Sequence, residues 1–400
     1  MEIEEELLKK IYDLRHRLHN IPEVSMHEAQ TKEMLMSFLK ENTGLEIVDR
    51  GAWFYAVLKS SDHRIWDKNN DRDDGRQIEE KSEKRLPIAF RADMDAVCGQ
   101  DGQPGHYCGH DGHSSILCGA AVVLSRVMVE YRNDNVDGVC ELALNRDIYF
   151  IFQPGEEIGE GAKLCRKLIS EKNIGEIYGL HNIPGYPRGH VLTIDGTFAC
   201  ASTGLEIHMK GAASHAAYPE AGKNPGPALA RLLIDVEKLA EEYNRSKGFV
   251  RMTLIGMDVG SCNYGVAASE GTLRMTVRAE REKVFAEYVA AIKQLARKMA
   301  VNGGFEIDIQ EIERFPATEN HPKNVDKLRK CAAGQNIVVT ELAEPMRWSE
   351  DFGYYLQDTD GAFFGIGDGE DYAQLHTAGF EFPDGIAETA IKMFAGLALM

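Results

Sequence analysis

Apolar residues at Ile3, Leu7, Ile11, Leu14 and Leu18 recur at helical spacing, so residues 3–20 are expected to form an amphipathic helix. HNIPEVS interrupts that pattern, and a second amphipathic helix is predicted from about His27 to Leu39. EIVDRG and WFYAVLKS read as strands on either side of a glycine turn. LPIAFRADMD and DIYFIFQP are almost continuously apolar until each reaches a polar end, which is the pattern of strands covered on both faces. Between them, SSILCGAAVVLSRVMVEY reads as a helix rich in small residues at its start, and EIYGLHNIP supplies a further strand. Strands alternating with helices predict a mainly parallel α/β sheet, in which ligands gather beyond the carboxyl ends of the strands. RADMD, QPGEE and GLHN all sit at such ends. Residues 61–85 are almost wholly charged or polar and are expected to form an exposed excursion that buries no core.

The pattern changes after about residue 195. LEIHMKG, a long helix through PGPALARLLIDVEKLAEEYNRS, VRMTLIGMDVG, GTLRMTVRAE, a helix through KVFAEYVAAIKQLARKMAVN and GFEIDIQEIER give the order β-α-β-β-α-β. That order is the ferredoxin-like split βαβ arrangement. The α/β character resumes near residue 320 with a helix, WSEDFGYYLQ, a GAFFGIG strand and a closing helix. The expected organisation is therefore a discontinuous catalytic domain, residues 1–194 and 312–400, with an α+β domain inserted at 195–311.

A chain of 400 residues also exceeds what one ordinary core accommodates. Its formal charge of −18, from 45 basic and 63 acidic residues, repels phosphate backbones, and no basic stretch offsets it, so nucleic acid is excluded as an expected partner. The acidic amphipathic start lacks the features of a signal peptide, and the longest apolar run, near ILCGAAVVL, is too short for a bilayer. Eight scattered cysteines without paired spacing suit a reducing compartment, and a cytoplasmic protein with no membrane partner is expected.

The densest chemistry lies in GHYCGHDGHSS, residues 105–115, where three histidines and one cysteine fall within eight positions. In an extended segment residues two apart point the same way, so Cys108 and His110 can reach one metal cluster. Thiolate and imidazole together suit a borderline-soft ion such as zinc. FIFQPGEEIGEG places Glu156 and Glu157 after a buried strand and a Pro-Gly turn. If the chain is extended there, the two face opposite ways, one for metal and one for a water or substrate. His181 and His376 complete a plausible donor set for two ions. A covalent alternative makes Cys108 a nucleophile beside His106 and His110, but it leaves the glutamates and the remaining histidines without a role.

In order along nearly the whole chain, LRHRLHNIPEVSMHE (14–28), FRADMDA (90–96), HYCGHDGHSSILCGAA (106–121), FQPGEEIGEGA (152–162), GLHNIPGYPRG (179–189), KGAASHAAYPEAGKNP (210–225), GTLR (271–274), SEDFGYYL (349–356) and LHTAGFEF (375–382) appear. This series resembles the aminoacylase/carboxypeptidase family of two-metal peptidases, in particular its amidohydrolase subfamily of hippurate hydrolases, indole-acetyl-amino-acid hydrolases and N-acetyl-diaminopimelate deacetylases. The resemblance implies two divalent ions per subunit, zinc foremost with manganese, cobalt or nickel as substitutes, held by Cys108, His110, Glu157, His181 and His376. It also implies Glu156 as general base, Asp95 orienting a ligand or that base, and His215 of the inserted lid and dimerisation domain stabilising the oxyanion. Asn263 and Arg274 match positions that hold a substrate carboxylate. The implied activity is hydrolysis of N-acyl-amino acids by a homodimer. A dipeptidase or carboxypeptidase acting on short peptides, or a catalytically silent binding protein of the same fold, stands as the alternative. Two segments depart from the family pattern: VCGQDGQPG (97–105) is short, and YGVAA follows Asn263 in place of a hydrophobic pair and proline.

Overall fold

The computed structural model describes residues 2–60, 85–99, 102–133 and 146–400. The charged run at 61–84 lies outside the described residues. The chain divides into two compact units, one of Met1–Asp195, Asn320–Leu342 and Tyr355–Met400, the other of Gly196–Glu319 and Ala343–Tyr354.

The first unit is built on an eight-stranded sheet. Its order is Glu46–Asp49, Phe54–Leu58, Ile148–Gln153, Ile88–Asp93, Glu176–Pro184, Asp360–Gly369, Val191–Thr193 and Val339–Glu341. The four central strands run parallel, and the flanking pairings to Phe54–Leu58 and Val191–Thr193 are antiparallel. FYAVL, IAFRAD and IYFIFQ are buried at every position, which is why they read as largely apolar runs without alternation. Alternate residues stack across the sheet: Phe54 lies on Phe152 with ring centroids 4.4 Å apart, and Phe90 meets Phe150 and Tyr178 at 6.3 and 6.1 Å. Truncating any one of these rings to alanine would cost about 3–5 kcal/mol.

Helices Glu5–His19, His110–Asn133 and Ala387–Leu399 pack together beside this sheet. The small residues at the start of the middle helix permit the approach, since a Cβ on Gly119 would lie 2.6 Å from Ile391 Cδ1 and 3.3 Å from Ile11 Cγ1. Among the described residues no helix is long and apolar enough to cross a membrane.

The second unit carries a four-stranded antiparallel sheet in the order Val250–Val259, Glu270–Ala279, Ala201–Lys210 and Glu306–Phe315. Helices Gly226–Ser246 and Glu282–Gly303 complete the split βαβ order and share one hydrophobic core with the sheet. The last strand continues to Phe315, beyond the point near 311 where the amphipathic pattern fades into EIER. The first strand of the sheet order is an edge, and it exposes Leu254 and Ile255.

Candidate metal centre

Three parallel strands deliver the donors. Beyond Ile88–Asp93 the chain turns through Met94 to Asp95, beyond Ile148–Gln153 it enters the Pro-Gly turn before Glu156 and Glu157, and His181 lies within Glu176–Pro184. His110 is the first residue of its helix, not part of an extended segment. What brings it near Cys108 is Gly109 between them, at φ +96, where a Cβ would lie 2.4 Å from Asn182 Oδ1. Only glycine fits that bend. His376 is likewise left-handed, at φ 60, and its backbone N–H donates to Tyr107 O at 2.8 Å.

Cys108 Sγ stands 3.4 Å from His181 Nε2 and 3.3 Å from His376 Nε2. His376 Nε2 and His110 Nε2 lie 3.3 and 3.8 Å from the same oxygen, Glu157 Oε1. Two donor triads result, Cys108–His110–His181 and Cys108–Glu157–His376, each with its ligand atoms within 4.8 Å of one another, and Cys108 belongs to both. Glu156 does not face away from its neighbour as an extended chain would require. The turn brings ligand atoms of Glu156, Glu157 and His110 within 4.8 Å of one another. The remaining described sites named from sequence, His215, Asn263 and Arg274, lie in the second unit.

The unsatisfied atoms of the donor set fit a cation. His110 Nε2 and Glu157 Oε1 are both buried and neither has a hydrogen-bond partner. Left bare, facing lone pairs of this kind are costly to bury, and a proton on His110 or a cation between the two atoms removes the cost. Charge agrees with that. Burial lowers the His110 pKa, but Asp93, Asp95 and Glu157 outweigh it and push it up to about 10, so a proton compensates the carboxylates where no metal does. His181 is held well below the ordinary histidine range by burial and by the neighbouring His113 and His110, which keeps its ring neutral and able to donate a lone pair. Burial and the nearby Glu157 and Glu156 push the Cys108 thiol well up. That environment favours the neutral thiol and opposes a free thiolate nucleophile. His106, the other histidine beside Cys108 in sequence, instead turns its Nε2 to Leu18 O at 3.2 Å.

A shell of hydrogen bonds aims these donors. Asp95 Oδ1 faces His110 Nδ1 at 3.2 Å, while its Oδ2 accepts from the Glu157 backbone N–H at 3.0 Å and from Ser25 Oγ at 2.7 Å. His181 Nδ1 meets Asn182 O at 2.7 Å, leaving Nε2 toward Cys108. Such partners fix which ring nitrogen is free to ligate. Behind them runs a buried chain: Asp93 Oδ1 to His113 Nδ1 at 2.7 Å, His113 Nε2 to Asn182 Oδ1 at 2.7 Å, and Asn182 Nδ2 to Asp368 Oδ2 at 2.8 Å. Burial pushes Asp368 up to about 7, and burial with the nearby Asp95 does the same to Glu28. Arg15, buried, joins Glu381 at 2.7 Å and Asp384 at 2.9 Å in the segment after His376, and His19 Nδ1 meets Asp111 Oδ2 at 2.8 Å. Sequence reasoning assigned no role to Arg15, His19, Ser25, Glu28, Asp93, His113, Asn182 or Asp368. The available signal was the polar residues of the 14–28 motif and the charges inside apolar IAFRAD.

A sheet of this order, with thiolate, imidazole and carboxylate donors gathered at its carboxyl end, defines a metal-dependent α/β hydrolase. Residues 89–400 match the peptidase family M20/M25/M40, and the chain belongs to that family. Over 403 residues it is 27% identical to an N-acetyldiaminopimelate deacetylase of Leuconostoc mesenteroides, covering 94% of this chain and 93% of the relative. An N-acetylcysteine deacetylase of Bacillus subtilis is 24% identical over 392 residues, covering 98% and 96%. Among solved structures, a dinuclear metal-binding peptidase of the M20 family from Bacillus subtilis shares the fold, with TM-score 0.77 at 21% identity over 99% of this chain and 98% of that one.

Proposed function

We propose that this hydrolase cleaves N-acyl-amino acids at the amide bond beside a free carboxylate, releasing a carboxylic acid and an amino acid. The observation that carries the reading is the pair of donor triads joined at Cys108, with two orphaned donor atoms facing each other inside them. Cys108, His110, Glu157, His181 and His376 would hold two divalent ions, and the thiolate favours zinc over manganese, cobalt or nickel. Bound there, the ions would polarise the scissile carbonyl and make a water acidic enough to lose its proton near neutral pH.

The protein's own groups do the rest. Glu156 is buried next to the donors, takes the proton of the attacking water and returns it to the departing amine. Asp95 keeps His110 and the Glu157 backbone in register during this exchange. His215 accepts the Ala217 N–H on Nδ1 at 3.1 Å, so its ring proton sits on Nε2, a donor suited to the developing oxyanion. Asn263 Oδ1 accepts from Gly265 N–H at 3.0 Å, which leaves its amide N–H groups for the substrate carboxylate. Arg274 pairs with Glu206 at 2.7 Å and with Asp258, so it serves that carboxylate by exchanging one of these partners. A homodimer and a cytoplasmic setting belong to the same reading. The first is supported by the exposed Leu254 and Ile255 on an edge strand, the second by free thiols at Cys98, Cys118 and Cys262.

The test is hydrolysis of a panel of N-acetyl and N-benzoyl amino acids and dipeptides, with and without chelator, beside Glu156→Ala. Chelation is expected to abolish turnover and added metal to restore it, while Glu156→Ala lowers kcat by about 10²–10⁴. Faster turnover of dipeptides would reassign the substrate. Activity that survives chelation but is lost to a thiol-alkylating reagent would replace this mechanism with Cys108 as nucleophile.

A further inference from the structure

The 14–28 motif supplies no group to the chemistry proposed above, yet its last residues reach the turn that carries both glutamates. Glu28 is 3% exposed, and its Oε1 accepts two backbone N–H groups, from Met26 and from Gly155, each at 2.8 Å. Both donors are left-handed, Met26 at φ 68 and Gly155 at φ 58. For a residue with a side chain that conformation persists only where its surroundings enforce it. The two bends also touch through side-chain packing, since a Cβ on Gly155 would lie 2.8 Å from Met26 Sδ. At the other end of the turn, Asp95 Oδ2 takes the Glu157 N–H at 3.0 Å and is itself held by Ser25 Oγ at 2.7 Å. Residues 25–28 thus fix the backbone on both sides of Glu156, directly at Gly155 and through Asp95 at Glu157.

We propose that Glu28 is a positioning residue for the two-carboxylate turn, a single acceptor oxygen that locks the Met26 and Gly155 bends together and so sets where Glu156 and Glu157 point. The inference rests on the metal-hydrolase reading given above. The role asks for an acceptor at one place rather than for a charge. Glutamine can supply that acceptor, alanine leaves two N–H groups without a partner, and aspartate keeps the charge but withdraws the oxygen by one methylene.

Glu28→Ala, Glu28→Asp and Glu28→Gln are to be compared with wild type for kcat and KM, metal retention in chelator competition, and thermal unfolding of the metal-free proteins. Glu28→Ala is expected to lose about 100-fold in kcat with KM little changed, as a misplacement near 1 Å would cause. Its metal retention is expected to weaken about tenfold, the lower end for groups that orient ligands. Glu28→Gln should track wild type in all three. If Glu28→Ala does not fold, Glu28→Asp carries the test, with kcat expected to fall at least about tenfold. Variants that unfold earlier while keeping wild-type kcat and metal retention would overturn the proposal, as would a Glu28→Gln as impaired as Glu28→Ala. A wild-type chain that retains no metal and hydrolyses no amide would instead overturn the functional reading, and this inference with it.

Discussion

Strand Glu176–Pro184 carries a buried polar cluster at each end, and the two are built on opposite principles. At its start, Glu176 is met by Arg146 and by Lys327 Nζ at 2.6 Å, with Tyr178 Oη and Asn324 Nδ2 donating to it at 3.0 and 3.1 Å. One carboxylate faces two cations, and Arg146 also reaches Leu397 O at 3.2 Å, so the cluster fastens the closing helix to the sheet. Toward its far end, around His181, carboxylates and a thiol crowd the histidines, and the atoms without a hydrogen-bond partner include His110 Nε2 and Glu157 Oε1. In the first cluster protein cations balance the carboxylate, even though Arg146 Nε and Asn324 Oδ1 have no hydrogen-bond partner. The second gathers carboxylates and a thiol in excess of the protein cations beside them, a surplus that a bound cation would offset.

Each cluster can be disrupted separately. The largest effect is expected from Glu176→Ala, which leaves Arg146 and Lys327 beside a buried gap and should cost about 3–5 kcal/mol in urea unfolding. Metal content per chain, measured on the folded protein, should not change. Asp95→Asn addresses the other cluster: metal affinity in chelator competition should fall about 10–100-fold while stability of the metal-free protein changes far less. A smaller and reversible effect distinguishes the two by acid. Burial opposes ionisation of Glu176, but Lys327 and Arg146 outweigh it and hold its carboxyl below the usual range. A depressed carboxyl contributes stability above its unfolded pKa of about 4.3 and loses it as pH falls through the folded value. Thermal unfolding of the metal-free wild type should therefore drop in acid below about pH 4, and a Glu176→Gln variant should show a shallower drop.

How much of this was legible depends on the distance over which each feature is specified. Five apolar residues at helical spacing predict a helix over 3–20, and the helix spans Glu5–His19, because that signal is local. The β-α-β-β-α-β order of the second unit was equally local. Cys108, His110, Glu157, His181 and His376 are legible as metal-ligating types, and the structure gathers them into two triads that share Cys108. The period-two rule predicts opposite facings for Glu156 and Glu157, but it holds only in extended chain, and Gly155 bends the backbone into the left-handed region just before them. Met26 is bent likewise, with no glycine to announce it.

The supporting contacts were beyond sequence reasoning for a different reason. His113 meets Asn182 across 69 positions, Asn182 meets Asp368 across 186, and Glu28 reaches Gly155 across 127. No spacing rule relates such residues, because their approach is set by the order of strands in the sheet and by helix packing around Gly119. By itself the sequence determined the alternation of strands and helices, the existence of a second α+β unit and the kinds of donor available, all of which follow from short-range periodicity and residue chemistry. Only the tertiary structure decided which donor atoms face one another, which carboxylate accepts which N–H, and that Glu28 ties two distant bends together. Those depend on positions to within about 0.5 Å, a precision that packing enforces and a linear pattern does not encode.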